Sequence, residues 1–188
     1  MDKNEIRRVN MELSHDMASE IKNIIEEILS ISIAARNDGL LAIEEIADKC
    51  DDKYLSKMLM LVVDGIDSDL LRIILENKYF SEDRHAVDAM KRLMQMEGIL
   101  MVQSGENPII IEEILRSMLK DEIDRLIPVG LNKEVLGRYR ENKKKNESSI
   151  LSSNIKAASQ SSSNTKTKSS SGSGMLTAKE IEELLKSI

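Results

Sequence analysis

Tryptophan is absent from this chain, phenylalanine occurs once and tyrosine three times, and only two prolines and eight glycines are spread over 188 residues. A sheet protein needs aromatic and β-branched faces and many Gly- or Pro-based turns, so this composition disfavours one. The single cysteine, Cys50, excludes an intrachain disulfide and points to a reducing, cytoplasmic setting. No stretch approaches the roughly 20 apolar residues that span a bilayer. The first ten residues, MDKNEIRRVN, lack the apolar run of a signal peptide. A net charge of -6 opposes binding to nucleic acid and to anionic membranes. Lys143-Lys144-Lys145 is the one basic run, and it reads as a solvated helix end.

What is present is Ile, Leu, Val and Met for a core, with abundant Glu and Lys between them. The expected fold is all-α: a small helical bundle, then a disordered Ser-rich linker and a short terminal amphipathic helix. Met17, Ile21, Ile24, Ile28, Ile31 and Ala35 alternate steps of four and three. They form one helical stripe, suited to packing in a bundle or to pairing with another chain. The first segment is therefore residues 1–36. Asp38 is expected to cap a helix from Gly39 to about Cys50, buried through Leu40, Leu41, Ile43 and Ile46. Asp51-Asp52 caps the next helix through Leu55, Met58, Leu59 and Val62, and Gly65 ends it. Asp67 starts another, with Leu70, Leu71, Ile74 and Leu75. A longer helix is expected from about Asp83 to Ser104, and Asn107-Pro108 restarts the chain as cap and first helical residue. These elements make up a domain of residues 37–130. A polar helix follows over 131–147.

Residues 148–174 are rich in Ser, Asn, Lys and Thr, a composition that reads as a flexible linker. Its about 27 residues correspond to a span of roughly 30 Å. In residues 175–188 the apolar pattern returns. Thr177 and Glu180 form a capping box, and Ile181, Leu184, Leu185 and Ile188 follow on one face. So short a helix is expected to fold by docking into a partner's groove.

Chemistry that an enzyme needs is missing from the pattern. His15 and His85 lie on different segments, with no carboxylate or cysteine constellation around them. Cys50 lies at a helix end beside Asp51 and Asp52, where a thiol is a poor nucleophile. Gln95, Gln103 and Gln160 sit in no acidic helix motif of the kind that acts on a phosphorylated regulator. Asp48, Asp51 and Asp52 lack the glycine and downstream glutamate of a calcium loop. No catalytic residue, metal ligand or cofactor is expected.

Two blocks carry a resemblance. The first is Ala34-Ala-Arg-Asn-Asp-Gly-Leu-Leu-Ala-Ile-Glu44, followed by Leu61-Val-Val-Asp-Gly65, Ile73-Ile-Leu75 and Glu82-Asp-Arg-His85. The second is Met96-Glu-Gly-Ile-Leu-Met-Val-Gln-Ser-Gly-Glu-Asn-Pro108, followed by Leu115 and Leu119. They resemble the cytoplasmic loop and the cytoplasmic tail of the flagellar stator A subunit, MotA, over about residues 30 to 120. In that family a pair of membrane helices precedes the loop, and a second pair separates loop from tail; neither has a counterpart here. The resemblance therefore implies no ion conduction. It implies instead contact with a flagellar switch or rotor protein, or with a stator, at the cytoplasmic face of the motor. Arg36, Glu44, Glu45 and Asp48 are the positions that correspond to the rotor-facing region.

The end of the chain, Leu176-Thr-Ala-Lys-Glu-Ile-Glu-Glu-Leu-Leu185, is similar to the short peptide Leu-Ser-x-x-Glu-Ile-Asp-x-Leu-Leu that begins the switch proteins FliM and FliY. There it binds the phosphorylated chemotaxis regulator CheY. The matching positions are Leu176, Thr177, Glu180, Ile181, Glu182, Leu184 and Leu185, with Thr for Ser and Glu for Asp. The resemblance implies a soluble, non-enzymatic motor adaptor that takes a phosphorylated CheY-like regulator as partner. The alternative is an assembly protein that forms a homo-oligomer through the stripe of residues 17–35.

Overall fold

The computed structural model describes residues 3–81 and 84–161, with side chains as far as residue 149. Among them there is no strand. The helices are α1 (Lys3–Glu12), α2 (Ala18–Asp38), α3 (Leu40–Lys49), α4 (Lys53–Val63), α5 (Ser68–Phe80), α6 (Ala86–Gln103), α7 (Pro108–Ser117), α8 (Asp121–Asp124) and α9 (Leu131–Ser161). A single 3-10 turn, His15–Met17, joins α1 to α2.

The compact unit runs to Lys145, and a second unit begins at Asn146. Two helices organise the first. In α2 the residues Ile21, Ile25, Ile28 and Leu29 are wholly buried, and Ile24, Ile31, Ile33 and Ala34 nearly so. It packs against α3, α6 and α7, while α6 meets α1, α2, α4, α5 and α7. Such all-round burial marks α2 as a core helix rather than a surface amphipath. The stripe from Ile21 to Ile31 is thus occupied inside the chain. Of the two uses expected for that stripe, packing within the bundle is the one seen here.

At one point α2 and α6 approach so closely that only glycine fits. A Cβ built on Gly98 falls 2.4 Å from Cγ2 of Ile28. Apart from Tyr79, the core elsewhere is aliphatic and thioether, with Met58, Met90, Met94 and Met96 all buried. Methionine's unbranched stem fills the irregular gaps that a core with few large aromatics leaves.

Caps end the helices as their residue types suggest. Asp52 accepts from the Tyr54 and Leu55 amides, Asp67 from those of Asp69 and Leu70, and Asn107 from that of Ile109. Gly65 and Gly105 take positive φ just beyond α4 and α6. Asp38 does not cap α3; α2 continues through it, and Gly39 at φ 77° makes the corner. Helix α1 clips the bundle shut. The Asn10 side chain donates to the Met118 carbonyl at 2.7 Å and accepts from the Lys120 amide at 2.9 Å.

Helix α9 begins under a remote cap. The buried carboxylate of Glu112 on α7 accepts the amides of Leu131 at 2.9 Å and Asn132 at 3.1 Å. Leu131 and Val135 are buried. The helix runs to Ser161, into the segment whose composition reads as linker from residue 148. The sequence there, SSILSSNIKAASQS, intersperses Ile, Leu and Ala, which tolerate helix well enough to carry it on. Residues 175–188, with their capping box and apolar face, lie outside the described residues.

Candidate partner-binding face

Helix α3 turns only Ile43 and Ala47 fully into the core. Those two positions, four apart, fix its rotation. Leu41, Glu44, Glu45 and Asp48 then fall on the opposite, exposed face at i, i+3, i+4 and i+7. Leu40 and Leu41, expected to be buried, are 55% and 73% exposed. A helix cannot bury 40, 41, 43 and 46 together on one narrow contact, and Ile46 ends half-buried.

The face is therefore apolar where α3 begins and acidic where it ends. Among the described residues its only ion pair is Lys49 to Glu45 at 3.6 Å, between largely exposed side chains, and such a pair contributes little. Glu44 and Asp48 make no ion pair among the described residues. Asp48, in the last turn, opposes the helix dipole, at a few tenths of a kcal/mol. The fold gains nothing visible from that placement, which suits solvation or a cationic partner.

Arg36 has a different place. It ends α2, where a cation is favoured, and its guanidinium donates to the Gly105 carbonyl at 2.8 Å. It thereby braces the α6–α7 turn against α2, and it remains exposed. Nearby, Lys143 of α9 pairs with Asp38. The bond from Arg36 joins the first sequence block to the second, because Gly105 belongs to the Gly-Glu-Asn-Pro turn.

A polar cluster lies behind the α3–α4 junction. Asp52 receives Lys91 at 2.9 Å and Arg92 at 2.7 Å, with the Gln95 amide at 3.3 Å. The Arg92 guanidinium also lies 4.5 Å from the centre of the Tyr54 ring. Burial pushes the Asp52 carboxyl up, but the hydrogen bonds from Lys91, Arg92 and Gln95 outweigh it and hold the group well below the usual carboxylate range. For Glu27 burial prevails over Lys91 and Gln95, and its carboxyl titrates above the ordinary value. Burial likewise raises the Cys50 thiol, and Glu27 and Asp52 add to it, which disfavours the thiolate. Asp52 was legible as a cap. The signal for its second role is the spacing of Lys91, Arg92 and Gln95 along one face of α6.

The remaining glutamine of the bundle is structural: Gln103 donates to the Ile66 carbonyl at 2.5 Å. Leu176, Thr177, Glu180, Ile181, Glu182, Leu184 and Leu185 lie outside the described residues.

The described residues define an all-helical bundle that presents an acidic and apolar face on α3, and none of its helices is long and apolar enough to cross a membrane. No family model matches the sequence. Part of the chain is nevertheless similar to motility proteins. It is 37% identical to Motility protein A of Treponema phagedenis over 65 residues, which are 34% of this chain and 25% of that one. With Motility protein A of Treponema pallidum (strain Nichols) the identity is 32% over 79 residues, 42% of this chain and 30% of the relative. With the uncharacterized protein YtxD of Bacillus subtilis (strain 168) it is 32% over 66 residues, 35% and 24% of the two chains. The chain thus spans between a quarter and a third of the length of these relatives.

Proposed function

We propose that this chain is a non-enzymatic adaptor of the bacterial flagellar motor, a MotA-like domain that docks on a rotor switch protein or on a stator. The observation that carries the reading is the similarity to Motility protein A. The exposed face of α3 supports it, since Glu44, Glu45 and Asp48 stand clear of the core on the helix that Gly39-Leu40-Leu41 begins. The partner it suits is cationic, with an apolar patch for Leu40 and Leu41. Charge reversal tests the contact. The triple change Glu44→Lys, Glu45→Lys and Asp48→Lys is expected to abolish co-purification with motor components and to leave the circular dichroism spectrum unchanged. Undiminished association in that variant overturns the docking face.

The same proposal gives the C-terminal segment a sensing role. Leu176, Glu180, Ile181, Leu184 and Leu185 provide the apolar and acidic pattern that a phosphorylated CheY-like regulator accepts. A tether confers an effective concentration in the millimolar range, so two weak contacts act together. Titration of the full chain, and of a version ending at Gly174, against phosphorylated and unphosphorylated regulator tests this arm. Binding is expected only with the complete chain and the phosphorylated form. Equal binding by the shortened chain removes the sensing role and leaves the α3 face as the functional element.

A further inference from the structure

Between α4 and α5 runs a groove of about 380 Å³. Its floor is apolar, with Met58 and Leu61 from α4 and Ile74 and Leu75 from α5. Its lining also carries Lys53 and Lys57 from α4, Lys78 from α5, Arg84, and Arg92 from α6, the last already paired with Asp52. No carboxylate stands among the described residues that line it, although the chain as a whole is acidic at -6. Lys53 and Lys57 are exposed, and neither makes an ion pair among the described residues. They are four residues apart on α4 and so project along the same edge.

We infer that the α4–α5 groove is a docking site for an acidic amphipathic helix of a partner protein. The argument is one of complementarity. The trench lies between two helices that touch only briefly, which is the shape a third helix fills. Its volume accepts roughly two aliphatic side chains at helical spacing. Carboxylates flanking that stripe meet Lys53 and Lys57 on one rim. Ile74 is already 40% exposed at the floor's edge, and covering it removes apolar surface from water. A flat anionic membrane reaches the rims but not the apolar floor. This site is separate from the α3 face, and it stands whether or not the motor reading does.

The probe is a fluorescein-labelled synthetic helix of about 14 residues, with Leu at i, i+3 and i+7 and Glu on either side. A second peptide carries Lys at every Glu position. Anisotropy titrations with the full chain are expected to show the Glu peptide binding at least about tenfold more tightly than the Lys peptide. Lys53→Glu with Lys57→Glu is expected to weaken it about tenfold, and Ile74→Ser several-fold. The three positions are solvent-exposed, so melting curves of these variants should match the parent; Lys57→Gln serves if the double variant does not fold. The α3 triple variant should bind the Glu peptide normally. Equal affinity for the two peptides overturns the inference, as does binding unmoved by the lysine changes. Preferential binding to phosphatidylglycerol vesicles, lost in the same lysine variants, also overturns it in favour of a membrane contact.

Discussion

Replacing Gly98 with alanine tests whether the α2–α6 contact is as tight as the structure makes it. The new Cβ falls 2.4 Å from Cγ2 of Ile28, 3.0 Å from its Cδ1 and 3.3 Å from its Cγ1. Comfortable carbon contacts are about 3.5–4.0 Å. Ile28 has nowhere to go: it is wholly buried, and a β-branched residue in a helix has one strongly preferred χ1. The two helices must therefore part, at the usual overpacking cost of about 1–3 kcal/mol. Alanine's better helix propensity returns about 1 kcal/mol. With so short a contact the upper part of the range applies, and the net loss is about 1–2 kcal/mol. The sign should reverse when the obstacle is gone. Ile28→Ala alone costs about 2–5 kcal/mol. In that background Gly98→Ala keeps its propensity gain and refills part of the cavity, so it should stabilise by about 1 kcal/mol. Urea unfolding followed by far-ultraviolet circular dichroism gives all four corners of the cycle, provided the slopes agree. A neutral or stabilising Gly98→Ala in the parent refutes the close approach. The same shift in both backgrounds refutes Ile28 as its cause.

Glu112→Ala should destabilise by about 2–4 kcal/mol, because the buried Leu131 amide and the half-buried Asn132 amide at the start of α9 lose their acceptor; Gln should cost less than Ala in the same urea experiment. For Asp52→Asn the expected signature is in pH. The folded carboxyl titrates below its unfolded value, so its contribution is present above about pH 4 and is lost as pH falls through the folded value. Asn still caps α4 but cannot ion-pair with Lys91 and Arg92, so the variant should be less stable than the parent at pH 7. That gap should close progressively below about pH 4, as measured by unfolding midpoints. A gap that stays constant with pH would show that the cap, not the charge, accounts for it.

Helix starts and stops were largely readable because they are local. Asp52, Asp67 and Asn107 cap within two or three residues of themselves, and Gly65 and Gly105 supply the left-handed backbone at the ends. Orientation was less readable, because it depends on what a helix meets. Apolar residues cover too much of α5 to declare a face; Leu71 and Leu75 go in, while Leu70 and Ile74 stay out. The same ambiguity put Leu40 and Leu41 of α3 in the expected core. Helix α1 carries only the short stripe of Ile6, Val9 and Leu13 to announce it. It is held by buried Val9 and Leu13, by the Tyr79 hydroxyl, which donates to Glu5 at 2.7 Å, and by the long-range clasp of Asn10. The acidic face on α3 was legible as charge. The brace from Arg36 to Gly105 was not, since 69 residues separate its ends.

The residues that carry the resemblance to a stator subunit divide into two kinds. Gly39, Gly65 and Gly105 set backbone turns, and Asn107 and Pro108 start α7. Gly98 admits Ile28, Gln103 holds the Ile66 carbonyl, and Arg36 holds that of Gly105. Each of these serves the bundle itself, so their presence says nothing of a partner. Glu44, Glu45 and Asp48, with Leu40 and Leu41, do none of that work. They are exposed, two of the carboxylates have no ion-pair partner among the described residues, and Asp48 lies in the last turn, which is unfavourable to negative charge. Their charge could be lost at no structural cost. The docking proposal therefore places the contact on α3 rather than on the more conspicuous Gly-Glu-Asn-Pro turn. Arg36 needs separating experimentally: Arg36→Ala should lower stability by about 1 kcal/mol through loss of its bond to Gly105. If it also weakened motor association, the test of a direct role is Arg36→Ala in a chain restabilised elsewhere. Recovery of association there would assign Arg36 to the scaffold, and persistent loss would add it to the docking face.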